Sequence, residues 1–560
     1  MEYLKLVKIY ESLEKTTKRL EKTEIISNFI KNILSDELEY TIHLIQGKVF
    51  PESDERKIGM SSQLILKVIA RATGNSINEI EKEWKKKGDL GIVAEEFVKE
   101  KKQRTLANQE LTTKHVYDNI RKLAELEGQG TVDRKVSLVA ELLSNAKPEE
   151  ARFIVRNVLE EMRTGVSDGI IRDSIAKAFD IPVEEIEKSF NFLVDYGKIA
   201  SLAKKGKHHL NKVELQPGRP TKVMLAILVN NVAEGFEYLG KPLQCEIKLD
   251  GFRVIIHNDG KNIYLFTRRM ENVTNQFKEL MPIIKNSIKA DSYIIDTELV
   301  GYDPKTKKYL PFQNISQRIK RKYDIEKIAK DFPVEINIFD ILYYNGNSAA
   351  DKPLKERRDI LEKIISEKKL SIVLTKKLVT SNEKDAEKFF KDSIKNGFEG
   401  IMLKNLNAEY KPGRYVNYMC KLKQVLEPLD LVIVGAQWGE GKRSNWLSSF
   451  TLACRDKNKF AEIGKVGTGI KEKAEGITFK ELTKMLKPLI IETKGKNVSV
   501  KPKIIVQVEY EEIQKSPTYN SGYALRFPKL KLLRLDKPLS EISDIKLVEK
   551  IYNYQKGKKK

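Results

Sequence analysis

Near residue 205 the chain changes its hydrophobic period, and that change limits the folds open to it more than any other feature. Up to that point apolar residues recur at three and four positions, as in Tyr3, Leu4, Val7, Tyr10 and Leu13, or Phe153, Ile154, Val158 and Met162. Such spacing lines one face of a helix. Proline is scarce and β-branched alternation is rare there, so the first third is expected to be all helical. Residues 203–220, AKKGKHHLNKVELQPGRP, are dense in Lys, Gly and Pro and carry no period, which marks a linker. From about 221 short β-rich runs follow, among them QCEIKL, FRVIIHN, NIYLFTRR and VEINIFDILYYN, with helical segments between them.

A second boundary at 426–431 leads into LDLVIVGAQWG, SFTLACRD, FAEIGKVGTG and IIVQVEYEEIQKS, spaced like the strands of a small barrel. The expected fold is therefore multidomain α+β. An all-α domain spans 1–208, a mixed α/β domain 209–424, and a β-barrel of OB type 425–560. A chain of 560 residues is long enough to bury several such cores.

The formal net charge is +23 while 32% of residues are charged, so the two signs are interspersed and the excess is basic. That suits a polyanionic partner, although a lysine-rich background composition could supply much of the same excess without any binding role. Cys245, Cys420 and Cys454 lie far apart with no C-x-x-C pair, which supports neither a disulfide framework nor a structural zinc site and points to an intracellular, cytoplasmic protein. No apolar run is long enough to span a bilayer, so no membrane association is expected. The five histidines show no metal-ligand spacing, and His208 and His209 are expected in a loop.

Two glycine-flanked helix ends, GQGTVDRK (128–135) and Arg163 to Gly165, place basic residues where backbone amides can face phosphates, yet ordinary helix-helix turns have the same composition. Gly439, Gly441, Lys442, Arg443 and Ser444 are not a P-loop, because Ala436 stands where its first glycine is required.

The most reactive candidate is Lys248, within EIKLDGFR (246–253). Near neutral pH an ordinary lysine, with a pKa of about 10.4, is almost wholly protonated. Covalent chemistry would require cations or a metal beside it to favour the neutral amine. Alone, a strand lysine before Asp-Gly equally describes an exposed charge entering a turn.

The stretch does not stand alone. It is followed by FTRRMENVT (266–274), YIIDTELVGYD (293–303), NIFDILYYNG (337–346), GFEGIMLKN (397–405), KLK (421–423) and LRFPKL (525–530). This order and spacing resemble the motif series of ATP-dependent DNA ligases across nearly the whole chain. LPFQNISQRIKRKYD (310–324) and the helical first third most resemble the archaeal replicative members, which are similar to the eukaryotic ligase I class.

The resemblance implies a DNA-binding helical domain, an adenylation domain and an OB domain that together seal nicks in duplex DNA during replication, repair and recombination. It makes Lys248 the nucleophile toward the α-phosphate of ATP, and Glu246 the acceptor for the adenine amino group. Arg253 and Arg268 would hold phosphate, ribose or the nicked end through guanidinium forks. Phe339 would stack on adenine, although an aromatic in such a strand is commonly core. Glu298 would contact ribose and, with Glu399, hold Mg²⁺, with Mn²⁺ as the other candidate ion. Lys404, Lys421 and Lys423 would collect on the phosphates, and Arg526 and Lys529 would reach the pyrophosphate when the last domain swings inward. One segment departs from the pattern: PGRYVNYMCKLK (412–423) lacks the family's tryptophan, which leaves the register of Arg414 against the ATP-contacting arginine open by one residue.

Another lysyl-nucleotidyl transferase, an RNA ligase or an mRNA capping enzyme, is the alternative within the enzyme class; the helical domain, which resembles the DNA-binding domain of the ligases, has no counterpart in the capping enzymes. A non-catalytic DNA-binding scaffold would be expected to have lost Lys248 or Glu298. The chain is expected to be a monomer. A sliding clamp (PCNA) is a candidate partner through Lys188, Ser189, Phe190, Asn191 and Phe192, whose aromatics fit a helix core equally well.

Overall fold

The computed structural model describes residues 1–101, 110–312, 315, 318, 325–424, 426–439, 443, 445–471 and 476–555. Most of the 310–324 motif, Gly441, Lys442, Ser444 and the lysine-rich tail lie outside these residues, as does the side chain of Arg414. The chain divides into two compact units: Met1–Ala226 with Asp250–Thr375 and Asn405–Tyr418, and Ile227–Leu249 with Lys376–Lys404 and Met419–Lys560. The α/β stretch thus supplies a sheet to each unit.

The first unit begins with the expected helices, from Tyr3–Glu14 to Tyr196–Lys205. Their apolar period becomes a core: Tyr3, Leu6, Val7, Tyr10 and Leu13 of the first helix pack with Phe153, Ile154 and Val158. Polar residues set the helix starts. Ser76 and Glu79 form a reciprocal cap for Ile77–Lys87, and Asp89 accepts from the first amides of Leu90–Lys99. His208 and His209 fall in a short helical turn, Lys207–Leu210, rather than in a loop. The GQG segment ends at Gly130, which in the left-handed region (φ 75°) opens Thr131–Asn145. Arg134 there donates to the Glu127 and Gln129 carbonyls.

The same unit contains an antiparallel sheet built on Phe252–Asn258, Tyr293–Gly301 and Val334–Tyr344, edged by Ile263–Thr267 and Asn347–Ser348, with Ile372–Leu374 pairing in parallel to Val334–Tyr344. Val254, Ile256, Ile295, Leu299, Ile336 and Ile338 supply its buried core.

The second unit holds a five-stranded and a seven-stranded sheet. One orders Lys377–Thr380, Leu243–Lys248, Gly400–Asn405, Met419–Lys423 and Ile227–Val229 side by side. The other winds Leu429–Trp438, Leu447–Asp456, Lys459–Val466, Ile490–Lys494, Asn497–Val500, Ile505–Glu509 and Lys529–Leu533 around an apolar core, as expected of an OB-like domain. The sequence reading missed two helices here, Phe479–Leu486 and Ile545–Tyr554. Thr478 and Glu481 form a capping box at the first, a signal present in the sequence.

Candidate active site

The five-stranded sheet of the second unit explains the placement of Lys248. Side chains alternate between faces along a strand. Leu243 and Cys245, Ile401 and Leu403, and Cys420 and Leu422 all turn into one core, which also takes in Val232 and Phe236 of Val232–Leu239 and Ala386 of Glu383–Lys395. The alternate positions, Gln244, Glu246 and Lys248, Lys404, and Lys421 and Lys423, therefore share the opposite face. A polar, cation-rich surface is the other side of an apolar pattern.

Two clusters occupy that face. Deeper in the sheet, Lys404 and Glu246 form a fully buried ion pair at 2.7 Å, and Gln244 Nε2 donates to Glu246 at 2.6 Å. At the strand end, Lys248 Nζ donates to Glu399 Oε2 at 2.5 Å, and Lys423 pairs with the same carboxylate while reaching Glu511 at 3.3 Å. Burial opposes the charge on Glu399, but Lys248 and Lys423 outweigh it and hold the carboxyl below its ordinary range. Burial likewise opposes the charge on Lys423, yet Glu399 and Glu511 raise it. Lys421 lacks such a balance: burial, then the charges of Lys423 and Lys248, push it below the usual lysine range.

Local backbone chemistry delivers Glu399 to this point. Glu383–Lys395 ends at Asn396, Gly397 turns the chain in the left-handed region (φ 82°), and the Ser393 hydroxyl donates to the Gly400 carbonyl at 2.6 Å. The Glu399 amide then donates to the Lys248 carbonyl at 3.2 Å. Gly400 passes so close to its neighbour that a Cβ would lie 2.0 Å from the Leu422 carbonyl oxygen. Glycine is required next to the carboxylate for that approach.

The first unit holds the arginine and aromatic candidates. Arg253 stands opposite Glu298 in the antiparallel register, and Glu298 stands opposite Asn337. The Arg253 fork grips Asp296, with Nε to Oδ1 at 2.9 Å and Nη2 to Oδ2 at 2.5 Å, and Asp296 is fully buried. Nη1 donates to the Met224 carbonyl at 2.8 Å, and the guanidinium lies 5.4 Å from the centre of the half-buried Phe339 ring. Burial opposes the arginine charge, but Asp296 and Tyr410 more than offset it and raise its pKa. Arg268 is exposed in the turn after Ile263–Thr267. Arg414 lies in the strand Gly413–Arg414, whose partner in parallel is Met224–Leu225.

In a separate two-stranded sheet of Glu512–Lys515 and Tyr523–Arg526, Arg526 pairs with Glu512 at 3.2 Å, while Lys529 in the OB-like sheet is exposed opposite Glu509. Among the described residues no group of three or more His, Cys, Asp or Glu side chains gathers as an ion cage.

The structure thus brings Lys248, Glu399, Lys421 and Lys423 into one cluster, while Lys404 is drawn to Glu246. Sequence reasoning missed Gln244, Glu511, Asp296 and Tyr410. Gln244 and Asp296 were readable, each two residues from a chosen carboxylate and so on its face; Tyr410 and Glu511 arrive only through the fold.

Comparison with known proteins gives the family of the chain. Residues 2–176 match the family described as DNA ligase N terminus, 223–423 ATP dependent DNA ligase domain, and 443–537 ATP dependent DNA ligase C terminal region. The DNA ligase of Nanoarchaeum equitans is 49% identical, covering 100% of this chain and 99% of its own length. That of Thermococcus fumicolans is 41% identical, covering 99% of each. A solved structure named Pmar-Lig_PreS3 has the same fold at a TM-score of 0.59 and 17% identity, over 94% of this chain and 99% of that one.

Proposed function

The chain belongs to the ATP-dependent DNA ligases, and on that premise we propose that Lys248 is the amine that carries AMP. The overall activity, joining DNA at the expense of ATP, is that of the family. The neutral Lys248 amine attacks the α-phosphorus of ATP; the nitrogen–phosphorus bond forms, the bond to the β-bridging oxygen breaks, the amine proton is lost and pyrophosphate leaves. The 5′-phosphate at a nick then attacks the lysyl-AMP phosphorus and frees Lys248. Finally the 3′-hydroxyl attacks the adenylated 5′-phosphate, a phosphodiester forms and AMP departs.

The observation that carries this reading is the cluster of Lys248, Lys421 and Lys423 around Glu399 on one sheet face. Cations so placed suit a polyphosphate, since phosphoryl transfer depends chiefly on positioning and charge. Lys404 and Glu246 are assigned to the nucleotide, Glu246 toward the adenine amino group. Arg253, Arg268, Phe339 and Arg414 are assigned to phosphate, ribose and base, and Arg526 and Lys529 to pyrophosphate. Glu399 and Glu298 are the carboxylates proposed for Mg²⁺ or Mn²⁺. Oxygen donors of this kind fit a hard cation that shares its coordination with substrate phosphates, and the ion would withdraw charge from them.

Incubating Lys248→Ala with labelled ATP tests the central assignment. No covalent adenylate should form, and a labelled variant protein would end the proposal.

For partners we propose nicked duplex DNA, bound by a monomer, with an intracellular and nucleoid-associated location. Clamp binding through Lys188 to Phe192 has a competing geometry: the Phe190 ring stacks on Tyr196 at 3.9 Å and packs on the helical core. Unchanged clamp affinity in a folded Phe190→Ala protein would discard that segment as the contact.

A further inference from the structure

Four segments of the first unit close a ring of hydrogen bonds around Arg253. The Met224 amide donates to the Tyr410 hydroxyl at 3.2 Å, and that hydroxyl donates to Asp296 Oδ2 at 2.6 Å. Asp296 receives the Arg253 fork through both oxygens, and Arg253 Nη1 returns to the Met224 carbonyl at 2.8 Å. Arg253 Nη2 also donates to the Tyr410 oxygen at 3.3 Å. The Tyr410 segment is itself tied down: its amide donates to the Ala350 carbonyl at 2.7 Å, and buried Arg357, paired with Asp340, donates to the Ala408 carbonyl at 2.9 Å.

Guanidinium has five N–H donors. Two go to Asp296, one to Met224 and one to Tyr410, so among the described residues a single Nη1 N–H remains for a ligand. The bidentate grip on phosphate expected from sequence is therefore already taken by Asp296. A guanidinium held on all these sides loses little freedom when its last donor is used, which favours one directed hydrogen bond over a mobile clamp.

We infer that Tyr410 and Asp296 are positioning residues that fix Arg253 so that it acts on the ligation substrates through one oriented N–H. The inference rests on Arg253 taking part in ligation, as proposed above. Tyr410 acts through Arg253, and its effect must vanish when that guanidinium is gone.

A double-mutant cycle on the full-length protein tests this, using Tyr410→Phe, Arg253→Lys and the pair. Single-turnover sealing of a 5′-adenylated nick and lysyl-adenylate formation are followed separately, with thermal melting as the control for folding. Tyr410→Phe is expected to slow at least one of these steps about tenfold at saturating substrate, with little further slowing in the Arg253→Lys background. Equal slowing in both backgrounds, or none in either, overturns the inference and leaves the role of Arg253 standing. An Arg253→Lys protein that runs both steps at full rate overturns that role and the inference with it. Should Tyr410→Phe melt below the assay temperature, Asp296→Asn, which keeps the shape and removes the charge, enters the same cycle with the same outcomes.

Discussion

Lys248 Nζ rests 2.5 Å from Glu399 Oε2, so the amine assigned to covalent chemistry is paired with a carboxylate that also binds Lys423. Because Glu399 is held below the ordinary carboxylate range, its contribution to stability is present above the unfolded-state pKa and is lost as pH falls through the lower folded value. The stability difference between the unaltered protein and Glu399→Gln should therefore be full above the ordinary carboxylate range and shrink steadily as pH falls below it, as read from urea unfolding at each pH. Adenylate formation by the variant should fall on the order of a hundredfold.

Removing one member of the buried Glu246–Lys404 pair strands the other charge. Lys404→Met should destabilise the second unit by about 3–5 kcal/mol. Combining it with Glu246→Gln should recover most of that stability without restoring adenylation. Denaturant midpoints and a labelled-ATP assay on the same samples separate the two effects.

Gly400→Ala forces a methyl group onto the Leu422 carbonyl. A loss of about 3 kcal/mol is expected, the upper end for overpacking, together with slower adenylation as Glu399 shifts. A variant of normal stability would show that the strand can give way there.

With a net charge of +23, binding to nicked duplex should depend steeply on salt and little on sequence. Affinity measured by fluorescence anisotropy should fall on the order of a thousandfold between about 50 and 200 mM salt. Duplexes of unrelated sequence should give parallel lines on logarithmic axes, and a flat salt response would contradict phosphate-dominated binding.

Much of this was legible along the chain because it depends on local spacing. The helical period of the first third, the alternation in QCEIKLD that puts Glu246 and Lys248 on one face, and the ordered motifs need only neighbouring residues to be read. The helices Phe479–Leu486 and Ile545–Tyr554 were missed where strand-like runs on either side dominated the pattern, even though Thr478 and Glu481 mark the first.

Partner choice was a different matter. Sequence alone determined that Lys248 sits at the end of a strand in a ligase motif series, with Arg253 five residues later. It did not determine that Glu399 would take Lys248, that Lys404 would turn to Glu246 while Lys423 stayed at the strand end, or that Asp296 and Tyr410 would enclose Arg253. Only the tertiary structure decided those pairings. Each joins residues far apart in the chain, and the match between a buried charge and its counter-charge depends on strand register and backbone approach, which no local spacing encodes.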